Sequence, residues 1–597
     1  MRSADRSGSG FQRTWRIIFL LCATGTSLWR GQLHSQTALT GERDASKFSG
    51  RSIIEQIQAA IHDCGKDPCA VYVPAGNYNA SAIPSWQTRD TTGSRVGIAI
   101  PSNVEIRGAG RGLTIINVTR SALDPSATLF ANANKSNRNI RLRDMTITWT
   151  DADSKFDWVS IFVCHACEQL ELDHLRLEGN PNKLVNLLDS TGSSVHDNTF
   201  VPRTTSYGHG DNALSVCRFE PGESVGDTAG VVRDNQFIHA GNFRTFSMLV
   251  VCQSGLYVHD NVFEGNFPSP GNATGIESGQ DNLARLPEHV KISANVFHGA
   301  SIAYGGTNNS EISGNFLDHG DIYVAVQSGT IASLSGVTIA DNEVHFGSIS
   351  VGGIEHTYIG RFLVTRNRVF DGSIGTGNSL LVHDIEVSFN SVRYSKNNNG
   401  IDCNSCAVIK GNVVREIGQN APGDVHAGYL IGGSVNDVSD NVYIDYQHTY
   451  DVGTICSVAK PSSVLCLPSG SSRWVLLRGG EWGVGWTNRT LLAENGPLVI
   501  HAFVNSVLLE LEADTPALPA GTHYHLYRTT FNAFELNSAT IGRFANNLAI
   551  SNGGYRHAAV QENGVVRIQD LFGNVFRPYS CVGKCAVDYR STVNAPE

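Results

Sequence analysis

A chain of 597 residues is too long for one ordinary compact domain, so it is either several domains or one long repeat array. With 61 Gly, 3 Met and only 17% charged residues, the composition favours short strands joined by turns and argues against helical bundles. The formal net charge of -10 offers no basic excess to neutralise phosphates, which excludes nucleic acid as the expected partner and says little about sugars.

In chain order, the first feature is the apolar run Ile17-Ile18-Phe19-Leu20-Leu21-Cys22-Ala23 behind Arg13 and Arg16. It is shorter than the ~20 residues that span a bilayer, so residues 1–38 read as a cleavable signal peptide. The expected destination is extracellular or periplasmic, with no membrane attachment after signal removal. Next, Ser52 precedes the helically spaced Ile53-Ile54-Glu55-Gln56-Ile57-Gln58-Ala59-Ala60-Ile61, with Glu55 placed as a capping-box partner. The strand Ala70-Val71-Tyr72-Val73-Pro74-Ala75-Gly76-Asn77-Tyr78 and the segment Val104-Glu105-Ile106-Arg107-Gly108-Ala109-Gly110 follow.

From about residue 195 a single pattern recurs: apolar, polar, any residue, Asn, any residue, apolar. It begins as Val195-His196-Asp197-Asn198-Thr199-Phe200 and returns around Asn235, Asn261, Asn295, Asn315, Asn342, Asn367, Asn390, Asn412 and Asn441. The ten copies have a mean spacing of 27 residues, and the tightest spacings of 20, 22 and 23 are those of a bare coil. Such a period predicts coils of short strands, each burying apolar rows against its neighbours, with the Asn at a tight corner. There Asn tolerates left-handed backbone and its amide can bond the same Asn one coil away. A second apolar strand upstream of each Asn forms a first sheet, exemplified by Met248-Leu249-Val250, Ile276-Glu277 and Tyr323-Val324-Ala325-Val326. After Asn441 the pattern lapses. Residues 446–597 read as a β-rich extension, in which Ile541 to Asn546 and Leu571 to Phe576 hint at late coils.

The helix, the VYVPAGNY strand and the VEIRGAG turn together resemble the start of pectate-lyase-superfamily proteins, the group of rhamnogalacturonases and epimerase-like β-helices. With the repeats, the resemblance covers about 48–445. It implies an all-β, right-handed parallel β-helix over 48–445 with an N-terminal capping helix, and with less force it implies chemistry on sugar polymers. Tyr207-Gly208-His209-Gly210-Asp211-Asn212 shares elements with polygalacturonases. Their order differs: Gly-His-Gly precedes the acid by one residue, and Asn212 stands where a second Asp is expected.

Thirteen cysteines minus Cys22 leave twelve. Ten fall into sequence-near pairs: Cys64 with Cys69, Cys164 with Cys167, Cys403 with Cys406, Cys456 with Cys466, and Cys581 with Cys585; Cys217 and Cys252 remain. In an exported chain these read as disulfides, zinc at the two CxxC pairs being the alternative.

Coils stack about 4.8 Å apart, so register converts to distance. Asp211 and Glu277 lie two coils apart, roughly 9 to 10 Å, with Arg244 between them and His209 beside Asp211. These four are the expected catalytic residues, and Asp157, Tyr323, His383 and Asp402 the expected substrate-binding ones. Hydrolysis would use the carboxyls as acid and base. Elimination on a uronate would use Ca²⁺ held by the acids, with Arg244 or a nearby His as base. Asp151, Asp153 and Asp157 lack the Gly and the downstream Glu of a calcium loop, so no metal ligand is assigned. From Glu277 to Asp402 is five coils, ~24 Å, too far to share one bond. The expected partner is a polysaccharide, bound by a hydrolase or lyase, the alternative being a non-catalytic carbohydrate-binding or adhesion protein.

Overall fold

A computed structural model describes residues 41–577 apart from 83–93, 121–125, 150–157, 180, 182, 204–211, 218–229, 240–246, 266–272, 279–286, 306–307, 326–332, 353–357, 378–383, 394–398, 405, 417–426, 446–448 and 552–558; within 449–531 it describes only the backbone of six strands. Strands pair in parallel from coil to coil and build a right-handed parallel β-helix with three sheets. One turn of it runs through Ala273–Ser278 on the first sheet, Lys291–Ser293 on the second and Val296–His298 on the third. The next coil repeats this with Ala300–Tyr304, Glu311–Ser313 and Phe316–Asp318.

The capping helix spans Ile53–Cys64, and Ser52 Oγ accepts from the Glu55 N–H while Glu55 Oε2 accepts from the Arg51 N–H. Its buried face is Ile53, Ile54, Ile57, Ala60, Ile61 and Cys64. Gln58 Oε1 accepts the Ala99 N–H at 2.8 Å, so a side chain satisfies part of the outermost edge of the first sheet. Covering that edge removes a template on which another chain could pair.

Strands of the coils place one or more apolar residues inside, and like residues stack. Phe200, Phe237, Phe263 and Phe297 lie ring over ring at 4.8, 4.7 and 4.7 Å, within 9° of parallel. That is the coil spacing itself, so the register that pairs the backbones also sets the aromatic contact.

The ten asparagines line one edge, at most 2% exposed. Each Nδ2 donates to Oδ1 of the Asn one coil later at 2.9–3.1 Å, and the backbone N–H of the same residue shares that acceptor throughout. The corner geometry corrects one expectation. The left-handed conformation belongs to the residue before the Asn, as at Asp197, Asp234, Asp260 and Ala294 with φ of 56, 53, 54 and 55°. The turn thus drives the Asn side chain inward, where its amide also reaches a carbonyl of the preceding coil, as Asn235 Nδ2 does with Val195 O at 2.8 Å.

The register continues beyond residue 445. Tyr429–Ser439 pairs with Phe534–Ala545, the latter pairs with Val560–Asn563 and Arg567–Phe572, and the ladder passes from Asn441 to Asn547 and on to Asn574. Between these two adjacent coils the chain carries a six-stranded antiparallel sheet formed by strands from Thr449–Thr454 to His523–Tyr527. Asn546, rather than Asn547, is the left-handed residue of its corner, with φ of 55°.

Among the described residues there are four disulfides: Cys64–Cys69, Cys164–Cys167, Cys403–Cys406, and Cys217–Cys252, which ties neighbouring first-sheet strands. The two CxxC pairs are therefore bridged rather than open for zinc. Cys456, Cys466, Cys581 and Cys585 lie outside the residues whose side chains are described. Among the described residues no helix is long and apolar enough to cross a membrane.

Candidate functional site

Strand pairing on the first sheet defines one outward row across successive coils: Val250, Glu277, Ala303, Tyr323, Ser350, Gly375, Asp402, Leu430 and Glu535. Alternation explains it, because the flanking Ile276, Ile322, Val324, Ile401, Cys403, Phe534 and Leu536 fill the core. Three expected site residues, Glu277, Tyr323 and Asp402, therefore share one line. Asp157, His209, Asp211, Arg244 and His383 lie outside the described residues.

At the upstream end, Glu277 Oε2 accepts from Ser247 Oγ on the preceding coil. Two coils on, Tyr323 presents its ring at 44% exposure, in a sheet whose other large apolar side chains are mostly buried. Two residues before it, Asp321 accepts the Ser348 N–H at 2.7 Å, and burial pushes its carboxyl above the usual range.

At the downstream end, Asp402 and Glu535 stand two coils apart with Leu430 between them, about 9.6 Å along the axis. Burial raises both carboxyls. Asp402 receives one opposing hydrogen bond, from Asn399 Nδ2 at 3.3 Å. Glu535 is only 9% exposed. Hydrogen bonds from Asn532, Asn537 and Asn563 oppose its burial, while the charge of Asp402 adds to the upward shift. The Asn563 amide donates to Glu535 Oε1 at 2.8 Å and to Asn537 Oδ1 at 2.9 Å. Two carboxyls with raised proton affinity thus face one polar surface, the one richer in amide donors being better held as an anion. Glu535 was not among the residues expected from sequence.

One group among the described residues brings three metal-ligand atoms together: Glu171, Asp173 and His196. It lies on the second sheet, away from the row above. Arg141 Nη2 is 2.8 Å from Asp173 and 3.2 Å from Glu171, and Arg143 Nε is 3.4 Å from Asp173. Burial works against the charge of Asp173, yet the hydrogen bonds from Arg141 and His174 hold its carboxyl below the usual range. The hydrogen bond to Glu171 raises His196. The positive charge that a cation would bring is already supplied by two guanidinium groups, so calcium chemistry has no natural seat in this cluster.

No protein-family model matches the chain, and no curated protein matches it. Among solved structures, it is similar to the A-module of a mannuronan C-5 epimerase of Azotobacter vinelandii, at 17% identity over 67% of this chain and 99% of the module, with a TM-score of 0.35. A tailspike protein mutant of E. coli bacteriophage HK620, in complex with a pentasaccharide, matches at 13% identity over 88% of this chain and 76% of its own, with a TM-score of 0.41.

Proposed function

We propose that this chain is an exported polysaccharide hydrolase that holds an extended sugar chain along the first sheet and cleaves it between Asp402 and Glu535. The observation that carries the reading is the carboxyl pair itself: one row, two coils apart, both carboxyls raised by burial, in a surface of amide side chains. An inverting glycosidase needs ~6.5–9.5 Å between its carboxyls to admit a water, and side chains leaning from positions about 9.6 Å apart reach that range. Asp402, with its single long hydrogen bond, is the acid that protonates the glycosidic oxygen as the carbon–oxygen bond breaks. Glu535, held by amide donors, is the base that takes a proton from the attacking water. The disulfides suit an oxidising destination.

The rest of the row binds. Tyr323 offers a flat ring, and Ser350 on the next coil and Glu277 two coils upstream offer polar groups, so a polymer lying along the axis meets contacts one to two coils apart. Reducing-end release on a panel of pectins, alginate and neutral polymers tests the activity. Once a substrate is in hand, Tyr323→Ala should raise KM by roughly tenfold and leave kcat nearly unchanged, the pattern of lost uniform binding. A fall in kcat with KM unaltered would move Tyr323 into the bond-breaking step.

A further inference from the structure

A second surface, on the third sheet, carries rings interleaved with charged groups. The strands Phe316–Asp318, Glu343–His345 and Arg368–Phe370 pair in register, so Asp318, His345 and Phe370 form one row and Phe316, Glu343 and Arg368 the row beside it. Rings run continuously across coils: Phe316 lies 5.3 Å from His345, and His345 lies 4.6 Å from Phe370. At the corner that follows, His319 and Phe346 stack at 4.5 Å. Phe389 stands at the opposite edge of this sheet, just before Ser391–Arg393.

Phe346 and Phe389 are 49% and 58% exposed and sit at φ of 54° and 56°. Other coils fill the same corners with residues such as Gly299 and Asp371, or Asp341 and Gly411. A bulky ring there is disfavoured by the backbone and by solvent together, and such double costs point to a use. The face is not the core of a protein interface, where charge is depleted. Here His345 is 2.8 Å from Glu343, His319 is 2.8 Å from Asp318, and Arg368 is 3.7 Å from Glu343. Flat rings interleaved with fixed donors and acceptors match a pyranose, which has an apolar C–H face and a fringe of hydroxyls. The balance of Asp, Glu, Arg and His favours an uncharged chain over a polyanion.

We infer that Phe316, His345, Phe346, Phe370 and Phe389 form a second carbohydrate-binding surface for a neutral pyranose polymer, separate from the first-sheet row and independent of whether that row cleaves anything. The test is native electrophoresis of the full chain through gels containing mixed-linkage β-glucan, galactomannan or xylan, with polygalacturonate as the charged comparator. Phe346→Gly with Phe389→Gly is the informative variant, because Gly suits the left-handed backbone and the fold should persist. At least one neutral polymer should retard the native protein, and the double variant should lose at least tenfold in apparent affinity for it. Unretarded native protein, equal retardation of the double variant, or a native dimer that the double variant dissociates would each overturn the inference, the last by assigning the face to a second copy of the chain.

Discussion

Glu535→Gln and Asp402→Asn should each lower turnover by at least ~10²-fold, the usual cost of losing a positioned general acid or base. Neither should lower the melting temperature. The sign follows from linkage. Burial lifts both carboxyls above their unfolded values, so between the two values the folded chain binds more protons than the unfolded one. The stability this contributes is present below the unfolded value and is lost as pH rises through the folded one. At neutral pH the two groups are therefore a burden on the fold, and a neutral amide in either place should leave the melting temperature unchanged or slightly raised. Glu277, five coils and ~24 Å from Asp402, serves as the comparator. Glu277→Gln should weaken binding of long substrates and spare the bond-breaking step. If Glu277→Gln abolishes turnover and Glu535→Gln does not, the chemistry sits at the upstream end with Asp211 and Arg244.

Asn342→Ala should destabilise the fold by about 3–5 kcal/mol, since several buried polar groups lose partners at ~1–3 kcal/mol each. Asn342 is 1% exposed. Its Oδ1 accepts from both the backbone N–H and the amide of Asn315, at 3.0 and 2.9 Å, and its Nδ2 donates to Ile312 O and Asn367 Oδ1, each at 2.9 Å. Truncation leaves these groups without that partner in a buried corner. The midpoint of urea unfolding reports the loss. A shift worth under ~1 kcal/mol would mean that the ladder only decorates a corner fixed by the flanking apolar rows.

These two predictions also divide what was legible in the sequence from what was not. The ladder was legible because a coil cannot be stable alone, so every copy had to keep both the apolar rows and the corner amide, and ten copies repeat within one span. The capping helix was legible from Ser52 and Glu55 for the same local reason. The left-handed residue was misassigned because Asn and its predecessor, often Asp or Gly, both tolerate that backbone. Only the inward pull of the ladder decides between them. Glu535 was hidden by distance. Its coil follows the antiparallel sheet at 449–527, so the period breaks just where the carboxyl pair is completed, and a period measured up to Asn441 cannot project across it. That Glu277, Tyr323 and Asp402 face outward in one row was legible because outward positions follow from alternation alone. Their roles were not: sequence assigned Glu277 to catalysis and Asp402 to substrate binding, and the proposed exchange of those roles rests on burial and on amides that only the folded coils bring beside Asp402 and Glu535.

The most direct test of the central claim is the proton NMR spectrum of the anomeric region during the first turnovers on a cleavable polymer or oligosaccharide. Hydrolysis by a water between Asp402 and Glu535 predicts new reducing ends that appear first with inverted configuration, with no unsaturated sugar, and that are absent in Glu535→Gln. Unsaturated ends, retained configuration, or product formed equally well by Glu535→Gln would contradict it.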